Sequence, residues 1–282
     1  MSRGRAILCS SCRGLISNEE LKCPYCGAAL PGLVGTSTAL ERFFSDLDVV
    51  FLTRAGCVAL YGAQLIGTYA LEPERLTSPR RFLDLGGTSP LVNHLMGSAE
   101  RLALLDGELW RLLTGSWLHG SALHLGMNMW FVAPGLRQAL VVYGPARTLV
   151  IWLLGGIGGM AVGAAFAPAG VVGSSTSIFG LMGALAVFGW RRGGTLGRAL
   201  RDHVLQQLLW VVLLSLSISN VSHAGHVGGL LTGALVAAAL PAHESAPERR
   251  GPRLLALSLL ILTVLSFGAA GVQAMRLTAA QG

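Results

Sequence analysis

Seven stretches of the chain, at about 49–71, 119–142, 148–167, 174–190, 204–219, 223–240 and 254–275, are apolar over roughly the length that crosses a bilayer. A helical span needs about 20 such residues, because hydrocarbon offers backbone N–H and C=O groups no partner outside the segment itself. This series restricts the chain to an all-α polytopic membrane protein, with six core helices and a seventh at the C-terminus. Composition agrees: 52% of the 282 residues are hydrophobic and 12% are charged, too few charges to cover a soluble surface. The 38 glycines suit helices that approach closely in lipid. The fourth and fifth stretches are short, and parts of them are expected to face water.

The formal charge of +7 raises the question of nucleic acid, but the basic residues sit in short connections between apolar stretches. No single basic face is formed, so no nucleic acid is expected. The same residues orient the spans. Arg137 and Arg147, then Arg191, Arg192, Arg198 and Arg201, then Arg249, Arg250 and Arg253 fall on one side, while the connections at about 168–173 and 220–222 carry no charge. By the positive-inside rule the N-terminus is cytoplasmic. The segment at about 72–117 then lies outside; its Arg75, Arg80, Arg81, Arg101 and Arg111 are accompanied by acids. No secretory signal peptide is expected, since a cysteine-rich polar segment precedes the first apolar stretch.

That polar segment holds Cys9-x-x-Cys12 and Cys23-x-x-Cys26, separated by ten residues. Four thiolates from two such turns converge tetrahedrally on zinc, and about 30 residues cannot otherwise bury enough surface to fold. A redox pair needs no duplication, and a cytoplasmic location disfavours disulfides. The reading is a structural Zn2+ site in a zinc-ribbon module at residues 1–30, closed to catalysis and suited to a cytoplasmic protein partner. Gly14 and Gly27 stand where its turns need freedom in φ. Residues 31–48, opening on Pro31 and Gly32, read as a linker or interfacial helix, and Cys57 in the first span reads as packing.

Polar side chains inside a membrane are costly, so clusters of them point to function. His119, His124 and Asn128 open the second span. Metal ligation by the histidines is weighed against this set, but no acid occurs between Trp110 and Asp202 to complete such a site. Helix-packing hydrogen bonds are the other plain reading. Ser174, Ser175 and Ser177 open the fourth span, where serines often cap helices. His223 and His226 open the sixth, and Gly225, Gly229 and Gly233 clear a face beside His226 for close contact with the fourth span.

With a cytoplasmic N-terminus, the second, fourth and sixth spans all run inward from the outer surface. Their polar residues therefore share one depth, which favours a single water-accessible site. A hydroxyl, an imidazole base and amide-type donors suffice for peptide hydrolysis by a dyad. The residues alone do not choose among the three serines.

HGSALHLGMN at 119–128, GSSTSIFG at 173–180, GHVGGL at 225–230 and the pair Trp110-Arg111 together resemble the motifs of the rhomboid family of intramembrane serine proteases. The resemblance covers about 49–240, leaving 241–282 as a cytoplasmic linker and C-terminal transmembrane helix. It implies Ser175 as nucleophile and His226 as general base, with His119, Asn128 and the Ser175 N–H as oxyanion donors. His124 corresponds to a neighbouring packing histidine, and Trp110 and Arg111 to loop stabilisers. It also implies transmembrane or membrane-proximal protein substrates, contact with membrane lipid and no catalytic cofactor. The expected location is a bacterial inner membrane with the site towards the outer face. Thr176 departs from the glycine that often follows the nucleophile, and a β-branched residue there is expected to narrow the pocket or to shift the strand-like approach of substrate. A relative that binds or escorts client helices without cutting them is the alternative.

Overall fold

Each apolar stretch overlaps one long helix of the computed structural model, which describes residues 6–9, 12–17, 22–27, 35–77, 86–167, 169–216, 221–242 and 250–279. Pro31, Gly32, Arg80, Arg81 and Arg249 lie outside the described residues. Two strands, β1 (Ala6–Leu8) and β2 (Leu15–Ser17), form an antiparallel hairpin that pairs Ile7 with Ile16. Helix α1 (Gly35–Asp46) precedes α2 (Val49–Leu71), whose start is capped by Asp48 accepting from the Phe51 N–H at 2.9 Å. Four short helices follow: α3 (Pro73–Thr77), α4 (Pro90–Met96), α5 (Arg101–Leu105) and α6 (Arg111–Thr114). A 3-10 turn at Gly115–Trp117 leads into the bundle.

The bundle comprises α7 (Ala122–Tyr143), α8 (Pro145–Phe166), α9 (Ser175–Arg192), α10 (Gly194–Leu216), α11 (His223–Ala239) and α12 (Arg250–Ala279). The fifth apolar stretch was expected from about 204, yet α10 starts at Gly194. The left-handed Gly193 and Gly194 turn the chain, and the helix then carries Arg198, Arg201 and Asp202 before its apolar part begins. Helices α8 and α9 are buried along most of their length, and α9 and α11 pack together most extensively. Helix α10 rests mainly on α9 and buries only Gly197, Val204 and Ser215.

The exterior is apolar, and polar side chains are enclosed beside an apolar core that includes Leu149, Trp152 and Leu181. Phe51, Ile66, Val141, Leu235 and Val264 face outward, while Thr53, Gln64, Thr68, Arg111, His119, Ser174 and Ser177 are fully enclosed. An apolar exterior around a hydrogen-bonded interior is what a lipid solvent selects. Among the described residues, three helices, Val49–Leu71, Pro145–Phe166 and Arg250–Arg276, are long and apolar enough to cross a membrane. The chain is an integral membrane protein built from helices.

Candidate active site

Helices α9 and α11 begin at the same end of the bundle, and their first turns face each other. Ser175 is the first residue of α9, and its Oγ lies 3.0 Å from His226 Nε2 in the first turn of α11. Phe179, one helical turn beyond Ser175, stacks under the imidazole with ring centroids 4.1 Å apart and planes 9° from parallel. Residues at i and i+4 share a helix face. One face of α9 therefore supplies both the hydroxyl that His226 meets and the ring that orients it. His223 touches His226 edge-on, with centroids 6.2 Å apart.

The three serines separate by geometry. Ser174 is buried and lies 3.3 Å from His119 Nε2. Ser177 is buried without a hydrogen-bond partner, against Gly156 and Ser116. Among the three, only Ser175 meets His226. Ser121 caps α7 by accepting from the His124 N–H at 3.1 Å and Ser222 caps α11 by accepting from the Gly225 N–H at 3.2 Å, whereas Ser174, before α9, makes no cap bond. The first N–H groups of α9 therefore retain their donor capacity beside Ser175.

Thr176 follows Ser175 in the first turn of α9. It is buried; its side chain packs towards Gly159 and Gly225, and its hydroxyl donates to the Gly173 carbonyl at 3.2 Å. Gly173 itself is constrained twice, by a φ of +132° and by His124, whose Cε1 would lie 2.7 Å from an added Cβ. The segment before Ser175 is held by backbone bonds, with Ala99 and Val171 exchanging two at 3.0 and 2.9 Å and Gly173 donating to Gly115 at 3.0 Å.

Among the described residues, His119 and Asn128 form no hydrogen bond with Ser175 or His226 and bond to their neighbours instead. The His119 ring is completely buried against Ser174 and 5.2 Å from the His124 ring. Asn128 spends one amide N–H on the His124 carbonyl at 3.1 Å; an amide carries a second. Arg111 is fully buried, pairing with Glu108, donating to the carbonyls of His94 at 2.7 Å and Ser98 at 3.2 Å, and lying 4.7 Å from the Trp110 ring centroid.

Sequence reasoning missed Gln64, in the middle of α2. It is fully buried; its Oε1 accepts from the His119 N–H and its Nε2 donates to the His119 carbonyl, both at 3.1 Å. Nε2 also donates to Asn93 Oδ1 at 2.6 Å, and Thr88 donates to Asn93 Oδ1 at 3.0 Å and to the His119 carbonyl at 3.2 Å. The signal was available, since a lone amide within an apolar span meets the same criterion that singled out the histidines.

The four cysteines of the N-terminal hairpin converge. Their sulfurs all lie within 4.8 Å of one another, with Cys9 and Cys26 at 3.8 Å and Cys12 and Cys23 at 3.5 Å. A tetrahedron with metal–sulfur bonds of about 2.3 Å has edges of about 3.8 Å, so the donors fit zinc. Burial pushes the Cys23 thiol up, but the N–H groups of Cys26 and Tyr25 and the neighbouring thiols bring it down to about 7, while the same thiols push Cys12 up to about 12, so the cluster shares its protons rather than releasing them all. Both knuckles close alike, Arg13 donating to the Cys9 carbonyl and Gly27 to that of Cys23, each at 2.8 Å. Positive φ falls on Arg13 and Gly27 rather than on Gly14, which is small because Tyr25 lies against it.

Comparison with known proteins agrees with the geometry. A profile of the Rhomboid domain matches residues 106–243. The putative rhomboid protease YdcA of Bacillus subtilis is 32% identical over 140 residues, 48% of this chain and 69% of that protein. Rhomboid protease GluP of the same organism is 32% identical over 190 residues, covering 66% of this chain. RHOMBOID-like protein 6, mitochondrial, of Arabidopsis thaliana is 31% identical over 159 residues, 51% of this chain. The chain spans 36% of the length of GluP and 50% of that of the Arabidopsis protein. The matched residues include Trp110, Arg111, His119, Asn128, Ser175 and His226. With that identity over more than two thirds of YdcA, this chain belongs to the rhomboid family.

Proposed function

We propose that the protein is an intramembrane serine endopeptidase in which Ser175 and His226 form the dyad. The observation that carries this reading is the 3.0 Å approach of Ser175 Oγ to His226 Nε2, at helix starts that share one end of the bundle. His226 takes the hydroxyl proton as Oγ attacks the carbonyl carbon of a peptide bond. The tetrahedral oxyanion meets the Ser175 N–H at the start of α9, with His119 and the second N–H of Asn128 as further donors. Collapse breaks the C–N bond, and the amine leaves with the proton held by His226. Water then gives a proton to His226 as it attacks the acyl ester, and His226 returns that proton to Oγ as the C–O bond breaks, releasing the carboxylic acid and free Ser175. Each oxyanion donor is worth about 3–4 kcal/mol of barrier.

The substrate in this reading is a transmembrane or membrane-proximal segment, locally unwound because a helix ties up its own carbonyls. All seven long helices cross the membrane, the N-terminus and the connection at about 241–249 are cytoplasmic, and the dyad opens to the outer face of a bacterial inner membrane. Residues 1–30 hold structural zinc through Cys9, Cys12, Cys23 and Cys26, away from the dyad, and offer a surface to a cytoplasmic protein. Bound there, zinc supplies folding free energy rather than chemistry.

The test is cleavage of a labelled transmembrane substrate by purified protein in detergent or liposomes. Ser175→Ala and His226→Ala are each expected to lose at least about 10⁴-fold in turnover, and a fluorophosphonate is expected to label Ser175 in the wild type. Equal cleavage by all three proteins would sink the dyad. Binding of substrate with neither turnover nor labelling would make the chain a client-binding relative.

A further inference from the structure

We infer that Gln64 is a positioning residue for the oxyanion side of the site, acting as a two-point clamp on the backbone of His119. The inference rests on the dyad reading above, because it assigns Gln64 a role in turnover.

His119 lies in the connector between the 3-10 turn and α7, where Leu118 is extended and α7 begins only at Ala122. A completely buried residue outside regular structure has a backbone N–H and C=O that no helix satisfies. Gln64 satisfies both with a single side chain, its amide standing in for the edge of a strand. Its own orientation is set by Asn93 Oδ1, which accepts from Gln64 Nε2 and from Thr88 Oγ1. The Thr88 N–H extends the grip to the next residue, donating to the Gly120 carbonyl at 2.9 Å. Three separate parts of the fold, α2, the segment at 86–89 and α4, thus converge on two consecutive residues, His119 and Gly120.

The consequence falls on the imidazole. Clamping both backbone groups fixes where the His119 Cβ points, and hence whether Nε2 meets Ser174 beside the nucleophile or swings away from it. Displacement of a catalytic group by about 1 Å can cost about 10²-fold in rate. A plain stability role would not single out the residue next to Ser174. Gln64 also sits in α2, before the residues matched by the rhomboid profile, so the first span acts on the site through it.

The experiment compares kcat, KM and thermal midpoint of purified wild type, Gln64→Met, Gln64→Glu and Val92→Ala on one labelled transmembrane substrate. Gln64→Met keeps length and volume and removes every polar contact. Val92→Ala opens a small cavity beside Gly67 in the same contact between α2 and α4 and removes no hydrogen bond. The expected result for Gln64→Met is a kcat at least tenfold below wild type with KM within twofold. Fluorophosphonate labelling of Ser175 should slow by a similar factor. Val92→Ala should lose a comparable amount of thermal stability and keep kcat within threefold. Gln64→Glu keeps an acceptor for the His119 N–H and should fall between wild type and Gln64→Met; it carries the test if Gln64→Met does not fold.

Wild-type kcat in the folded Gln64 variants, or an equal loss in Val92→Ala, would overturn the clamp and leave the dyad intact. No turnover by wild type itself would remove the dyad reading and this inference with it.

Discussion

Arg111 shows how one buried side chain organises a loop. Its guanidinium is enclosed, yet its donors reach Glu108 and the carbonyls of His94 and Ser98, and its face lies by Trp110. Glu108 in turn accepts from Gln273 Nε2 at 2.6 Å, so the same cluster reaches α12. Removing Arg111 takes the charge partner from Glu108, which keeps Gln273, and a donor from the carbonyls of His94 and Ser98. Arg111→Met should lower stability by about 2–3 kcal/mol, the usual worth of hydrogen bonds from a charged group, because Glu108 is partly exposed and keeps Gln273. Arg111→Lys should recover little of it, because an ammonium cannot reproduce the planar fork. Thermal unfolding in detergent measures both, and a loss below about 1 kcal/mol for Arg111→Met would show that the network is dispensable.

At the scale of elements, the contact between α9 and α11 decides whether the proposed dyad exists. Two glycines of α11 lie directly against the backbone of α9: a Cβ on Gly229 would sit 2.1 Å from the Thr176 carbonyl oxygen, and one on Gly233 would sit 1.9 Å from that of Gly180. Backbone cannot rotate aside, so any side chain there pushes the helices apart. Gly233→Ala should cost about 1–3 kcal/mol as an overpacked contact. Turnover should fall more than tenfold as Ser175 and His226 separate. Gly268→Ala is the matched comparison, because a Cβ there meets nothing within 4 Å. It should be neutral or stabilising by up to about 1 kcal/mol. Equal stability of the two variants would mean that the tight helix contact is not required.

Across the whole molecule, α12 spans the bundle and is tied near both ends. Arg253 pairs with Glu41 of α1 at 2.9 Å, and Gln273 bonds Glu108 in the loop that carries Trp110 and Arg111. The helix thereby links the linker region to the opposite end of the bundle, although it lies beyond the residues that match the rhomboid profile. The cysteine hairpin carries its own buried cluster of Cys9, Ile16 and Cys23, separate from the main core. Metal analysis of the purified chain should find about one zinc per molecule, and Cys9→Ser with Cys12→Ser should abolish it. Because that cluster is separate, the double variant should keep the thermal midpoint of the bundle and the wild-type kcat. Absence of zinc from the wild type would end the metal reading, and loss of turnover in the double variant would tie the module to the site.

What the sequence determined by itself was whatever lipid and local backbone chemistry demand. Long apolar stretches in lipid favour helices, so the all-helical membrane fold was legible, but helix starts were not: α7 begins at Ala122 rather than 119, and α10 at Gly194 because a helix can run on past its apolar part. The paired CxxC turns were legible for the same reason, since their spacing is a local property. So was the clustering of histidines and serines at the starts of alternate spans, and with it the family resemblance. Which serine meets His226, where Thr176 points, and what holds His119 were decided only when the helices packed. Those outcomes depend on rotation about helix axes and on contacts between residues more than 50 positions apart, as between Ser175 and His226 or Gln64 and His119. Gln64 marks the boundary between the two: its buried amide was visible in the sequence as an anomaly, but its partner lies on a connector whose path only the folded bundle sets.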